Sequence, residues 1–268
     1  MKPIILPEFD PVFFSIGPLA VRWYSLAYIA GVLITYFFLK KINKTEKILN
    51  ENALENFIPF IIISILIGGR LGYVLFYNFK YYLQNPQNIL AFWHGGMSFH
   101  GGLCGIIIGM ILFAKKYRLE FFQITDRIAI TGCLGIFFGR IANFINLELY
   151  GRVTDSKFGM IFPNAGDLPR HPSQLYEAFC EGVLMFVILF SLFKFTNIKN
   201  YRGAISGIFL SLYGLFRIFL ENFREPDQQL GFIFAKLTMG QILSIPLILF
   251  GIIIITYSVF NKKNAKII

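Results

Sequence analysis

The sequence predicts an all-α integral membrane protein with seven transmembrane helices and a small extracytoplasmic head. Three observations point there. The 268 residues are 56% apolar and 15% charged, against roughly 45–50% and about 25% in soluble domains, and mean hydropathy is +0.61. Seven apolar stretches are each about long enough to cross a bilayer. The basic residues fall mostly between those stretches. A net charge of +10 would suggest a nucleic-acid partner in a soluble chain; here the partner it implies is the lipid bilayer, and no nucleic acid is expected.

A hydrocarbon core of roughly 30 Å, crossed at 1.5 Å per residue, needs ~20 mostly apolar residues. The stretches that meet this are 17–39, 57–78, 97–114, 121–142, 173–194, 203–222 and 238–260. Helices are expected because open strands would leave backbone groups unpaired in lipid. The third, fourth and sixth stretches carry polar residues at one end. Ahead of the first, Glu8, Asp10 and four prolines accompany Lys2 with no continuous apolar core, which is not the pattern of a cleavable signal peptide. Segment 143–172 is rich in Asn, Asp, Gly and Pro and too long for a plain connector, so it predicts the ordered head. No internal repeat is evident, and 1–268 reads as a single membrane domain.

Orientation follows from the loops. Lys40, Lys41, Lys44, Lys47, Lys115, Lys116, Arg118, Lys194, Lys199, Arg202, Lys262, Lys263 and Lys266 lie on one side. The other side has Lys2, Lys80, Arg152, Lys157, Arg170, Arg224 and Lys236. The positive-inside rule puts the C-terminus in the cytoplasm and the N-terminus outside. Cys104, Cys133 and Cys180 lie in apolar segments without CxxC pairing or neighbouring ligands at zinc spacing. They predict buried thiols, with no disulfide framework, no metal and no cofactor.

Charges within spans are costly and mark candidate sites. Arg70, Arg140 and Arg217 fall in the outer halves of their helices on this topology, joined near the same depth by His100 and Tyr24. Snorkelling, or structural pairing with an acid, is the plainer alternative for each arginine. Tyr213, Arg217, Glu221 and Arg224 are spaced four, four and three apart, which puts them on one helical face directed at a wet or ligand-filled cavity. Gly101, Gly105 and Gly109, with Gly68 and Gly72 around Arg70 and Gly135 and Gly139 before Arg140, would allow close helix packing. His94 and His171 flank spans and read as interfacial residues.

The segment Gly139-Arg140-Ile141-Ala142-Asn143-Phe144-Ile145-Asn146-Leu147-Glu148-Leu149-Tyr150-Gly151 resembles the signature of the bacterial prolipoprotein diacylglyceryl transferases. The resemblance covers nearly the whole chain. It includes Pro7 to Pro11, Arg22-Trp23-Tyr24, Gly68 to Tyr73, Gly95 to Gly102, Arg170 to Glu177 and Arg217 to Asp227. A minor difference is Leu147, where relatives often have a small residue.

The resemblance implies an inner-membrane enzyme with its active site toward the outer leaflet. It would move the diacylglyceryl group of phosphatidylglycerol onto the thiol of the lipobox cysteine of a preprolipoprotein. Glycerol 1-phosphate leaves, and the reaction opens lipoprotein maturation. The family's functional positions fall on Tyr24, His100, Arg140, Asn143, Asn146, Glu148, Gly151, Tyr213, Arg217, Glu221 and Arg224. Of these His100, Arg140 and Arg217 are expected to be catalytic and the others, with Arg70, to bind substrate. Arginine forks suit a leaving phosphate that gains charge, and His100 is the candidate base for the thiol. Whether the histidine or an arginine-centred arrangement activates the thiol stays open. An anion or lipid transporter is the competing class, disfavoured by the lack of repeats. A retinal receptor lacks its lysine in the last helix, and Gly96-Met97-Ser98-Phe99-His100 is not a serine-protease G-x-S-x-G.

Overall fold

A computed structural model of the chain describes residues 3–17, 19–91, 96–226 and 237–265. Lys2, His94, Gly95, Asp227, Lys236 and Lys266 lie outside the described residues, as do the side chains of His100, Lys262 and Lys263. Among the described residues, five helices are long and apolar enough to cross a membrane: α1 (Trp23–Glu46), α2 (Glu51–Phe76), α5 (Phe121–Ile145), the run Ser173–Phe195, and α9 (Met239–Ala265) through Asn261. Two further apolar helices are shorter, α4 (Phe99–Lys116) and α8 (Ala204–Leu220). Their surfaces carry side chains that a water-soluble globule would hide: Phe250 and Ile253 on α9 are each 60% exposed. This is a multi-pass membrane protein.

Two expected boundaries move. The stretch 17–39 does not start a helix: strand β2 (Val12–Ile16) turns at Gly17, φ 58°, and pairs antiparallel with β3 (Leu19–Arg22) before α1 begins at Trp23. Those residues are apolar enough to pass for a span, yet a glycine in left-handed backbone breaks the helix there. The second helix starts at Glu51 because Asn50 caps it, its side chain accepting from the Ala53 amide at 2.7 Å.

The chain forms two compact units. The first, Tyr36–Thr125, contains α2, a short α3 (Phe79–Gln84) and α4. Its helices α2 and α4 meet backbone to backbone. A Cβ added at Gly68 would lie 2.5 Å from the Gly101 carbonyl oxygen, and one at Gly72 would lie 2.6 Å from the Gly101 Cα. The glycine spacing does here what small residues do in membrane interfaces.

The second unit comprises Met1–Thr35 and Asp126–Ile268. In it, β1 (Ile4–Ile5) pairs parallel with β4 (Met160–Ile161) over a small apolar core of Leu6, Leu147 and Phe162. The Ser173–Phe195 run is not a uniform helix. After α6 (Ser173–Glu177) comes a π-helical turn, Ala178–Leu184, before α7 (Met185–Phe195). Gly182 in that turn sits so close to α5 that a Cβ would meet Phe137 Cβ at 2.7 Å. Helix α8 is preceded by Gly203, φ 96°, which has no side chain to cap it. Asp126 of α5 supplies the cap instead, accepting from the amides of Gly203 and Ser206, each at 2.8 Å, and from the Ser206 hydroxyl at 2.7 Å.

Candidate active site

Three helical segments of the second unit converge on an ionic cluster. Arg140 leaves the last turns of α5, Glu177 and Glu181 lie at the end of α6 and in the π-turn, and Arg217 and Glu221 end α8. Arg140 divides its two terminal nitrogens between two acids, Nη1 to Glu177 Oε2 at 3.0 Å and Nη2 to Glu181 Oε2 at 3.1 Å. Arg217 does likewise, with Nη1 on Glu177 Oε1 and Nη2 on Glu221 Oε2, both at 2.8 Å. Arg224 reaches Glu177 Oε1 at 3.4 Å. Glu177 is thus the hub of three guanidiniums, and its side chain and that of Glu181 are wholly buried. Arg140 and Arg217 keep 16% and 13% of their side-chain surface exposed, whereas Glu177 and Glu181 keep none.

Beside it, the end of α5 builds a second polar group. Tyr24 donates to Glu148 Oε2 at 3.0 Å, and its hydroxyl accepts from the Asn143 side-chain amide. The chain leaves α5 through Leu147 and Leu149, both in left-handed backbone at φ 55° and 57°. Non-glycine residues hold that conformation only where their surroundings enforce it. The Asn164 amide binds the Leu147 carbonyl at 2.9 Å, the Ser173 hydroxyl binds that of Leu149 at 2.9 Å, and Gln174 binds that of Glu148. These anchors fix the Glu148 carboxylate against Tyr24. Asn146 Oδ1 is buried without a hydrogen-bond partner among the described residues. Tyr24 and Tyr213 both lie within electrostatic reach of Arg140.

Gly151 ties the segment after α5 to the residues that follow α8. Its amide donates to the His171 carbonyl at 2.8 Å, the Arg152 amide to the Phe223 carbonyl at 2.9 Å, and Gly151 pairs with Arg224 as an antiparallel bridge. A Cβ there would lie 2.5 Å from both carbonyl oxygens, so a glycine is required. The His171 ring packs against Phe223 and Tyr176, and burial there lowers its pKa from the ordinary histidine value.

The structure therefore brings Tyr24, Arg140, Asn143, Glu148, Gly151, Tyr213, Arg217, Glu221 and Arg224 into one unit, with Asn146 among them. Arg70 is occupied elsewhere. In the other unit it is 1% exposed and donates to three main-chain carbonyls, Asn88 at 2.7 Å, Ile89 at 2.8 Å and Gly96 at 3.2 Å, with its guanidinium over the Tyr82 ring. It clamps a loop. His100 lies in the first turn of α4. Sequence reasoning passed over Glu177 and Glu181. The rule that drew attention to charges inside spans covers acids as well as arginines, and Glu181 stands in the apolar run 173–194.

A family described as prolipoprotein diacylglyceryl transferase matches residues 11–257. The chain is 55% identical over 254 residues to a Rickettsia felis protein named phosphatidylglycerol–prolipoprotein diacylglyceryl transferase, covering 94% of this chain and 98% of that one. Proteins of the same name from Rickettsia conorii and Rickettsia akari are 54% and 52% identical over the same shares. The matched span takes in the α5 signature, the acids of the α6 run and the end of α8 alike, and the chain belongs to the prolipoprotein diacylglyceryl transferase family.

Proposed function

We propose that this protein transfers the diacylglyceryl group of phosphatidylglycerol to the lipobox cysteine thiol of a preprolipoprotein, releasing glycerol 1-phosphate. It is a membrane transferase of lipoprotein biosynthesis and acts at the first step of maturation. The observation that carries this reading, beside family membership, is the presentation of Arg140 and Arg217 as the exposed edge of an otherwise buried ionic cluster. Two guanidiniums fixed from behind by acids suit a phosphodiester in a water-poor site.

In the reaction the cysteine sulfur bonds to a glyceryl carbon as that carbon parts from a phosphate oxygen. The phosphate gains a second charge as the bond lengthens, and Arg140 and Arg217 stabilise it. Asn143, Asn146, Glu148 and Tyr24 offer a hydrogen-bonding wall for the glycerol hydroxyls, while Gly151 and Arg224 hold head and α8 in register. A thiol with a reference pKa near 8.5 must lose its proton, and we assign that role to His100. Arg70 acts structurally.

With α4 and α8 added to the five long helices, the chain crosses the cytoplasmic membrane of a bacterium seven times. The N-terminus and the head, 143–172, lie outside, and the site faces the outer leaflet. The basic residues of 40–47, 115–118 and 194–202 support that orientation. The test is incubation of the purified protein with phosphatidylglycerol and a lipobox peptide. A mass gain of one diacylglyceryl group on the cysteine, with release of glycerol phosphate, is expected; unmodified peptide and intact lipid would refute the reading.

A further inference from the structure

The three carboxylates of the ionic cluster are held differently: Glu181 and Glu221 each pair with one arginine, and Glu181 shares its arginine with Glu177. Among the described residues, Arg140, Arg217 and Arg224 face Glu177, Glu181 and Glu221, so the formal charges cancel. Glu177 spans all three guanidiniums. Glu221 is gripped by Arg217 at 2.8 Å and closed over by Gly240 of α9, where an added Cβ would lie 2.9 Å from its oxygens. Glu181 has a single ion pair, Oε2 to Arg140, and its Oε1 is buried with no hydrogen-bond partner among the described residues.

A neutral cluster has no net attraction for an anion. Bringing a phosphodiester onto Arg140 adds a negative charge beside Glu177 and Glu181, which already share that guanidinium. Like charges crowded in a poorly solvated site disfavour the ionised form of one of them. We infer that Glu181 is the placeholder counter-ion of Arg140: it releases the guanidinium to the lipid phosphate and takes up one proton from water as the phosphate binds. The inference rests on the phosphate-binding reading above. The step balances: one O–H bond forms on the Glu181 carboxylate as one breaks in a hydronium ion or buffer acid, whose conjugate base stays in bulk solution, and the site's net charge is unchanged when the singly charged phosphodiester enters. Glu181 acts through Arg140 and is a positioning residue. It holds the guanidinium turned toward the lipid's seat while that seat is empty.

The groups facing Glu181 are Arg140 from α5, Glu177 and the Cys180 thiol on its own segment, and Arg217 and Tyr213 from α8, and a thiol, already protonated near neutrality, has no proton to take up. Arginine does not deprotonate in proteins, tyrosine titrates near 10, and a phosphodiester stays singly charged near neutrality. A proton taken up on lipid binding near pH 7 therefore belongs to the paired carboxylates or to a histidine.

The test is calorimetric titration of the detergent-solubilised full chain with dihexanoyl phosphatidylglycerol, without acceptor peptide, in buffers of differing ionisation enthalpy. The wild type should take up about one proton per lipid, with affinity falling about tenfold per pH unit where the linkage operates. Glu181→Gln should take up none and, with one competing charge removed, bind the lipid at least as tightly near pH 7.5. A purely structural Glu181 requires the opposite, weaker binding with an unchanged proton count. No uptake by the wild type, or full uptake by Glu181→Gln, overturns the proposal. Should Glu181→Gln not fold, the wild-type count decides alongside His100→Gln, which must keep the uptake. A protein that does not bind the lipid at all fails the phosphate-binding reading itself, whereas binding without proton uptake fails only the role given to Glu181.

Discussion

Replacing Gly151 with alanine probes the site without touching a charge. The added Cβ would stand 2.5 Å from the carbonyl oxygens of both His171 and Phe223, roughly 1 Å inside ordinary contact. Both obstacles are main chain, so no side chain can swing away. The strands must separate, and the bonds that close them are the 2.8 Å Gly151–His171 and the 2.9 Å Arg152–Phe223 hydrogen bonds. Overpacking of this kind costs about 1–3 kcal/mol, and each weakened backbone bond adds about 1 kcal/mol. The shift passes to Arg224, which pairs with Gly151 and reaches Glu177, the hub of Arg140 and Arg217. A displacement near 1 Å at reacting groups lowers rate on the order of 100-fold. The assay is the mass shift of a lipobox peptide at matched concentrations of folded protein, with thermal unfolding followed in parallel. Gly139→Ala is the control, because a Cβ there meets nothing within 4 Å; it should fold as the wild type does. A Gly151→Ala protein with more than about a third of wild-type turnover would show that the lattice yields at no expense to the site, and the reasoning fails.

Three further outcomes are expected. Arg140→Lys should lose at least about 10–100-fold in turnover, since lysine keeps the charge but cannot reach Glu177, Glu181 and a phosphate together; a snorkelling anchor would tolerate the change, so near-normal turnover removes Arg140 from the site. Asp126→Ala should destabilise the fold by about 1–3 kcal/mol through loss of the α8 cap, seen as a lower melting temperature, while turnover per folded molecule holds; an unchanged melt would show that water caps Gly203 and Ser206 equally well. His100→Gln should insert and fold yet transfer diacylglyceryl at a severely reduced rate, and retention of activity with an unchanged pH profile would pass the proton-accepting role to another group.

The bilayer made much of this fold legible and hid the rest for the same reason. Lipid demands long apolar runs with satisfied backbones, so the helices around 57–78, 121–142 and 238–260 stand out by hydropathy. The hairpin of Val12–Arg22 is equally apolar, and hydropathy cannot tell a short strand pair from the start of a span; only Gly17-Pro18 marked the turn. The π-turn at Ala178–Leu184 left no trace in a periodicity of 3.6, though it sets two acids of neighbouring turns on one arginine. Within the site, arginines were legible because a cation in a span is an anomaly in itself. Their function was less so, because Arg70 and Arg140 look alike in sequence and differ in what they meet: carbonyls of its own loop in one case, two buried acids in the other.

That contrast bears on how a membrane enzyme can keep cations ready for an anionic lipid. An unpaired guanidinium in a dry site is expensive, and a fully enclosed ion pair cannot release its cation. This cluster lies between those limits. Its acids and Arg224 are buried while Arg140 and Arg217 are partly open, so those two cations are compensated by buried acids without being fully enclosed. The hub Glu177 then matters as much as the arginines it holds, since removing it strands charge as surely as removing a partner. The polar constellation is therefore better regarded as one neutral body of six side chains than as three arginines with neighbours, and losses measured across its ion pairs should be strongly non-additive.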